Sequence, residues 1–293
     1  MSVVQQIQGK ERDLGEGFLV TRLLPAATRR SVGPFVFLDH FGPTRLGIGA
    51  HMDVGPHPHI GLATVTFLFD GAITHRDSLG YVQRIEPGAI NWMCAGRGIV
   101  HSERTPEDLR TRAHSVHGVQ LWVALPMDQE EREPDFAHTP AHHLPQFDAG
   151  GVAVRVLLGS AFGYESPVVT ASPTVFLWLR FSAASTISLP PMAAELAVYV
   201  VEGAVDVAEE RLSRGTLAVL DSKLTHTIRS ALGGEVILIG GAPLDAPRFL
   251  WWNFVSSNRE RIRAASANWA AQRFARVPGE NEWVRLPAEG FKG

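Results

Sequence analysis

Short β-rich runs recur along this chain with turn signals between them, and that rhythm limits its fold more than any other property. The runs are Phe35–Leu38, Ala63–Phe69, Ile90–Met93, Val119–Leu125, Val152–Leu158, Thr174–Phe181, Leu196–Val201, Thr216–Leu220 and Glu235–Ile239. Gly-, Pro- and Asp-containing stretches separate them at roughly regular spacing, which favours a sandwich or barrel over βαβ units. Several runs are apolar throughout, as strands buried between two sheets are. One segment departs from the pattern. Ser256 or Ser257 caps a predicted helix running to about Phe274, with Ile262, Ala265 and Trp269 on one face. Between 128 and 150, Pro134, Pro140 and Pro145 interleave with acids and with His138, His142 and His143, the composition of a crossing loop between two β halves.

The chemistry concentrates in two short motifs. In Pro56-His57-Pro58-His59 the prolines favour an extended backbone and forbid a helix, so the two imidazoles fall on one strand face, roughly 7 Å apart. Further on, Gly96-Arg97-Gly98-Ile99-Val100-His101-Ser102-Glu103 repeats the i, i+2 spacing with a His and a Glu after a glycine turn. On neighbouring strands the two pairs supply three imidazoles and one carboxylate to a single mononuclear metal site. Such a set suits a borderline divalent ion, with Fe the best fit and Mn, Co, Ni, Cu or Zn as alternatives. It leaves coordination positions open, as a reactive metal requires. The bland arrangement leaves His57 and His59 exposed on a loop and pairs Glu103 with Arg104 or Arg97.

Composition removes several function classes. Of 293 residues, 45% are hydrophobic and 19% charged, with a net charge of -3 and no Lys/Arg cluster, so neither nucleic acid nor anionic lipid is an expected partner. Cys94 is the single cysteine, which excludes intramolecular disulfides and thiolate clusters. The segment Met1 to Arg12 is polar and lacks the apolar core of a secretory signal, and the longest apolar runs are strand-sized. A reducing, cytoplasmic setting is expected, and Cys94 is expected to be a buried filler.

The stretches Gly33-Pro34-Phe35-Val36-Phe37-Leu38-Asp39-His40-Phe41-Gly42-Pro43, Pro56 to Gly61, Ala95 to Glu103 and Gln120-Leu121-Trp122-Val123 resemble the pirin family of the cupin superfamily. The likeness continues more weakly to Trp251-Trp252-Asn253-Phe254-Val255-Ser256. It implies an all-β bicupin: two antiparallel β-barrels of the double-stranded β-helix type with a C-terminal helix. Residues 1–135 would form the metal-binding barrel, and 136–293 a cupin-like barrel without metal plus the helix. It also implies iron held by His57, His59, His101 and Glu103. One departure is Ala63, where cupins often place a Glu after the His-x-His pair.

Two functions follow from the resemblance. The first is an iron-dependent dioxygenase that opens quercetin or a related flavonol with dioxygen, Glu103 serving as ligand and as base for the substrate hydroxyl. The second is a non-catalytic, iron-binding, redox-sensitive regulator of a protein partner. Gln120 and Trp122 share a strand face and either line the cavity or pack within the barrel. His226, alone in the second half, is expected to be a hydrogen-bonded or surface residue, and His114, His117, His138, His142 and His143 to be solvated.

Overall fold

A computed structural model describes residues 2–13 and 18–292. Each apolar run named above forms a strand or the body of one. The chain divides into two compact units that interleave in sequence: Met1–Asp39 with His142–Pro243, and His40–Ala141 with Leu244–Gly293. The cut expected between 135 and 136 lies near one of three crossings. The crossings after Asp39 and after Pro243 exchange the chain's ends, because Val3–Gln8 pairs with Thr216–Leu220 while the terminal helix packs on Ile60 and Val100.

In the first unit one antiparallel sheet runs Val3–Gln8, Thr216–Leu220, Glu195–Val207, His226–Gly241, Thr174–Leu189, Val152–Leu158, Gln146–Asp148. Alternate residues such as Val154, Val156, Leu177, Leu179, Val198 and Leu238 fill its core. His226 is buried there, with Nδ1 on Ser2 Oγ and Nε2 on the Asp221 carbonyl, so it is the hydrogen-bonded residue expected.

The second unit has a four-stranded sheet in the order Val54–His59, Ile99–Arg104, Ile73–Asp77, Val82–Ile85. Another sheet carries Asp135–Thr139, Ile90–Cys94, Leu62–Asp70 and His114–Ala124, followed by Phe35–Leu46, which enters from the first unit. The all-β class and the terminal helix agree with expectation, but the sheets keep open edges and are not closed barrels. In the four-stranded sheet the reason is local. Pro56 and Pro58 lack the N–H groups another strand would need, so Val54–His59 remains an edge.

Two boundaries differ from the sequence expectation. Within 128–150, Asp135–Thr139 is a strand paired with Ile90–Cys94, because Phe136 buries its ring there. The helix runs Arg259–Ala270 with Asn258 as its cap, Oδ1 accepting from the Glu260 N–H at 2.9 Å. Ser256 and Ser257 are otherwise engaged: both hydroxyls and the Ser257 N–H donate to the Glu130 carboxylate. Ile262, Ala265 and Trp269 form the buried helix face, as their spacing predicts, and lie against Ile60, Val100 and Phe254.

Glu130 also meets Arg248, Nε to Oε1 2.8 Å, with the two side chains 6% and 2% exposed. Removing Glu130 leaves Arg248 only the exposed Asp245 as counter-charge and leaves the Ser256 and Ser257 donors without their acceptor, which costs far more than the net value of the pair. Glu130→Ala should therefore lose about 3–5 kcal/mol in urea unfolding. A loss below about 1 kcal/mol would mean the guanidinium finds solvent without it.

Candidate metal centre

Pro56-His57-Pro58-His59 lies in the strand Val54–His59, and His57 sits directly opposite His101 on Ile99–Arg104, with His59 opposite Ile99. Opposed side chains share a sheet face, so the three imidazoles project together toward the other sheet of the unit. All three are buried, and their ligating nitrogens lie within 4.8 Å of one another. The exposed-loop arrangement does not occur.

The far side of two rings is tied to a carbonyl. His57 Nδ1–H donates to Gly55 O at 2.8 Å and His59 Nδ1–H to Asn253 O at 3.0 Å. A carbonyl only accepts, so each neutral ring keeps its proton on Nδ1 and presents a bare Nε2. Gly61 makes the Asn253 contact geometrically accessible: its φ is +66°, and a Cβ there would collide with the Val255 carbonyl.

Burial keeps these rings uncharged. It pushes the His57 pKa down to about 4, against the raising effect of the Gly55 hydrogen bond, and sends His59 and His101 well below the ordinary imidazole value. His59 Nε2 and His101 Nε2 are 3.1 Å apart. Two nitrogens at that distance match neighbouring ligands each about 2.1 Å from one ion. Three neutral nitrogen donors converging in a buried space therefore fit a divalent metal.

Glu103 is placed differently. It lies opposite Val54 after a register shift that follows His101, and its carboxylate does not join the three-histidine cluster. Its Oε1 accepts from Thr66 Oγ1 at 3.2 Å, and Thr66 Oγ1 lies 3.0 Å from the Gln120 amide. Thr66 has one proton to give, so the Gln120 amide is best oriented with Nε2 donating to Oγ1 while Thr66 donates to Glu103. Burial raises the Glu103 carboxyl pKa, against the lowering effect of the Thr66 hydrogen bond. Neither Arg97 nor Arg104 pairs with it: Arg97 meets Glu133, and Arg104 meets Glu280, Glu282 and Asp53.

Gln120 and Trp122 come from the strand opposite Thr66 and Thr64. Trp122 is buried and stands edge-on to His59 at 5.2 Å, so it both packs and lines the site. Ala63 shares the fully buried face of Val65 and Phe67, while Thr64 and Thr66 point toward the site. Sequence reasoning missed Thr66, His75 and Asp77. His75 Nδ1 lies 3.4 Å from His101 Nδ1, and its Nε2 lies 2.9 Å from Asp77 Oδ2. The signal was a second His-x-Asp pair at strand spacing in Ile73-Thr74-His75-Arg76-Asp77, hidden in a run too polar to stand out as a strand. His117 is also not solvated as expected: it is buried, with Nε2 2.7 Å from His40 Nε2. Cys94 is buried, and burial raises its thiol pKa, as suits a filler.

The sequence matches the model of the Pirin family over residues 17–123 and that of the Pirin C-terminal cupin domain over residues 176–275. A pirin-like protein of Caulobacter vibrioides is 43% identical over 284 residues, covering 95% of this chain and 97% of the relative. A Pseudomonas aeruginosa protein carrying the provisional name quercetin 2,3-dioxygenase is 38% identical over 91% of this chain and 84% of its own length. The crystal structure of a quercetin 2,3-dioxygenase from Acinetobacter baumannii superposes with a TM-score of 0.90 at 34% identity, covering 99% of this chain and 97% of that one.

Because the fold lowers the three imidazole pKa values, the unfolded chain binds more protons than the folded one between about 4 and the ordinary 6.5. Stability should thus be fully present above that window and fall as pH drops through it. Urea midpoints of metal-free protein measured across the window should decline, and His57→Gln should flatten the decline. An identical pH slope in the variant would show that His57 is not held neutral.

Proposed function

This chain belongs to the pirin family, with two cupin domains, and from that premise we propose that it is a metal-dependent dioxygenase acting on quercetin or a related flavonol. In this reading His57, His59 and His101 hold one divalent ion, and Glu103 completes the set. The observation that carries the reading is the convergence of buried, neutral imidazoles with two Nδ1 atoms committed to carbonyls, which leaves nitrogen lone pairs for a cation. Iron is the ion proposed first. The same donors accept Mn, Co, Ni, Cu or Zn. When bound, such an ion would supply Lewis-acid polarisation of a chelating enol oxygen and, for every candidate except redox-inactive Zn, redox access to dioxygen.

The protein's own groups account for the rest. Glu103, half-buried with a raised pKa, accepts the flavonol hydroxyl proton more readily than an exposed carboxylate would. Thr66 and Gln120 hold that carboxylate in one orientation, so the proton acceptor is in place before substrate arrives. Trp122, fixed against His59, offers an apolar wall for a flat aromatic substrate. The name of the Acinetobacter baumannii structure supports the substrate class.

Purified protein loaded separately with Fe, Mn, Co, Ni or Cu should consume quercetin in air, followed by loss of flavonol absorbance, and should leave it intact without oxygen. His101→Ala should abolish stoichiometric metal by elemental analysis. Glu103→Gln should keep the fold and lower turnover by about a hundred- to ten-thousandfold, the range expected for loss of a positioned base. Metal-loaded protein that leaves quercetin intact with every ion would refute the dioxygenase reading and leave the metal-bearing regulator of a protein partner.

A further inference from the structure

Two residues outside the ligand set share its sheet face. Ile73–Asp77 pairs antiparallel with Ile99–Arg104, placing Asp77 opposite His101 and His75 opposite Glu103. Both are buried, at 0% and 3% exposure, and the His75 ring stacks on Phe136 at 4.4 Å, which fixes its plane. Asp77 is fully engaged. Its Oδ1 accepts from the N–H groups of Leu79 at 2.9 Å and Tyr81 at 3.1 Å, and its Oδ2 faces His75 Nε2 at 2.9 Å.

The protons in this row can be assigned in order. A carboxylate only accepts, so His75 Nε2 carries a hydrogen, and the neutral ring then offers a lone pair at Nδ1. That lone pair faces His101 Nδ1 at 3.4 Å. A divalent ion would take the Nε2 lone pairs of both His59 and His101, 3.1 Å apart, so with the ion in place the hydrogen of His101 belongs on Nδ1, where the His75 lone pair accepts it. The remaining His101 nitrogen, Nε2, is then bare, and it is the one that lies 3.1 Å from His59 Nε2. His101 thus reaches the state that carbonyls impose on His57 and His59, although here the acceptor is an imidazole set by a carboxylate.

We propose that His75 and Asp77 are positioning residues that set the tautomer of His101, so that its Nε2 is available to the metal. The proposal rests on the metal-site reading given under Proposed function.

Asp77→Asn tests it with almost no change of shape. The two backbone donors at Leu79 and Tyr81 hold the amide oxygen on their side, which turns the amide NH2 toward His75 Nε2. His75 must then carry its hydrogen on Nδ1 and give it to His101 Nδ1, which moves the His101 hydrogen onto Nε2. Zinc(II) titrated into the metal-free variant should bind about 10–100-fold more weakly than to the natural protein, the usual range for losing a group that orients a ligand. Long-range proton–nitrogen NMR of metal-free protein should show the His75 hydrogen on Nε2 in the natural protein and on Nδ1 in Asp77→Asn.

A pair of changes at 75 separates tautomer from packing. His75→Gln can accept from His101 through Oε1 and donate to Asp77 through Nε2, so it should keep the natural affinity. His75→Phe keeps the stack on Phe136 and offers no acceptor, so it should bind as weakly as Asp77→Asn. Natural affinity in Asp77→Asn or in His75→Phe overturns the proposal, and so does a His75→Gln protein as weak as His75→Phe. If Asp77→Asn does not fold, the two variants at 75 decide alone. A natural protein that binds no zinc sinks the metal-site reading, while the NMR assignment of the His75 proton still tests this one.

Discussion

Three imidazoles can face one another through bare nitrogens only if each has its opposite nitrogen occupied by something that cannot give a proton back. That requirement organises the second unit. It accounts for the Gly55 and Asn253 carbonyls being aimed at ring nitrogens, and for Gly61, which lets residues 253–255 approach closely. Burying three uncharged but polar rings without partners is costly, so these acceptors stabilise the arrangement. The outer faces of the ligand strands contribute by ordinary packing. Val100 alternates with His101 and lies against Ile262, Ala265 and Trp269, while Ser102 and Arg104 both donate to Glu280 from outside.

The site has two walls of different character. The four-stranded sheet supplies nitrogen donors and rigidity. The facing sheet supplies Thr66, Gln120 and Trp122, a hydrogen-bond chain ending on Glu103 and an aromatic surface beside His59. Glu103 belongs to the first wall by its strand and to the second by its hydrogen bond to Thr66. The Thr66 hydrogen bond fixes the orientation of that carboxylate, and burial raises its pKa.

Much of this was legible in the sequence because alternation in a strand is a strict rule. His57, His59 and His101 fall on one face, and Ile262, Ala265 and Trp269 form the buried helix face, as period-two and period-3.6 patterns require. What was not legible has physical reasons. Ile73–Asp77 is too polar to be recognised as a strand in isolation, since its buried His75 and Asp77 satisfy one another. The helix start shifted to Asn258 because Ser256 and Ser257 are claimed by Glu130, a residue remote in sequence. The domain cut could not be read locally either, because the strand Val3–Gln8 and the helix Arg259–Ala270 each join a unit whose other parts lie far along the chain.

That interleaving sets an order of assembly. The three histidines all lie within the first 101 of 293 residues, yet the carbonyl that fixes His59 belongs to Asn253, and the acid that grips Ser102 and Arg104 is Glu280. A nascent chain carrying only residues up to Ala141 holds all the ligands and lacks one of the acceptors that orient them. The centre is therefore finished last. A fragment ending at Ala141 would present His59 with its Nδ1 unclaimed by the Asn253 carbonyl.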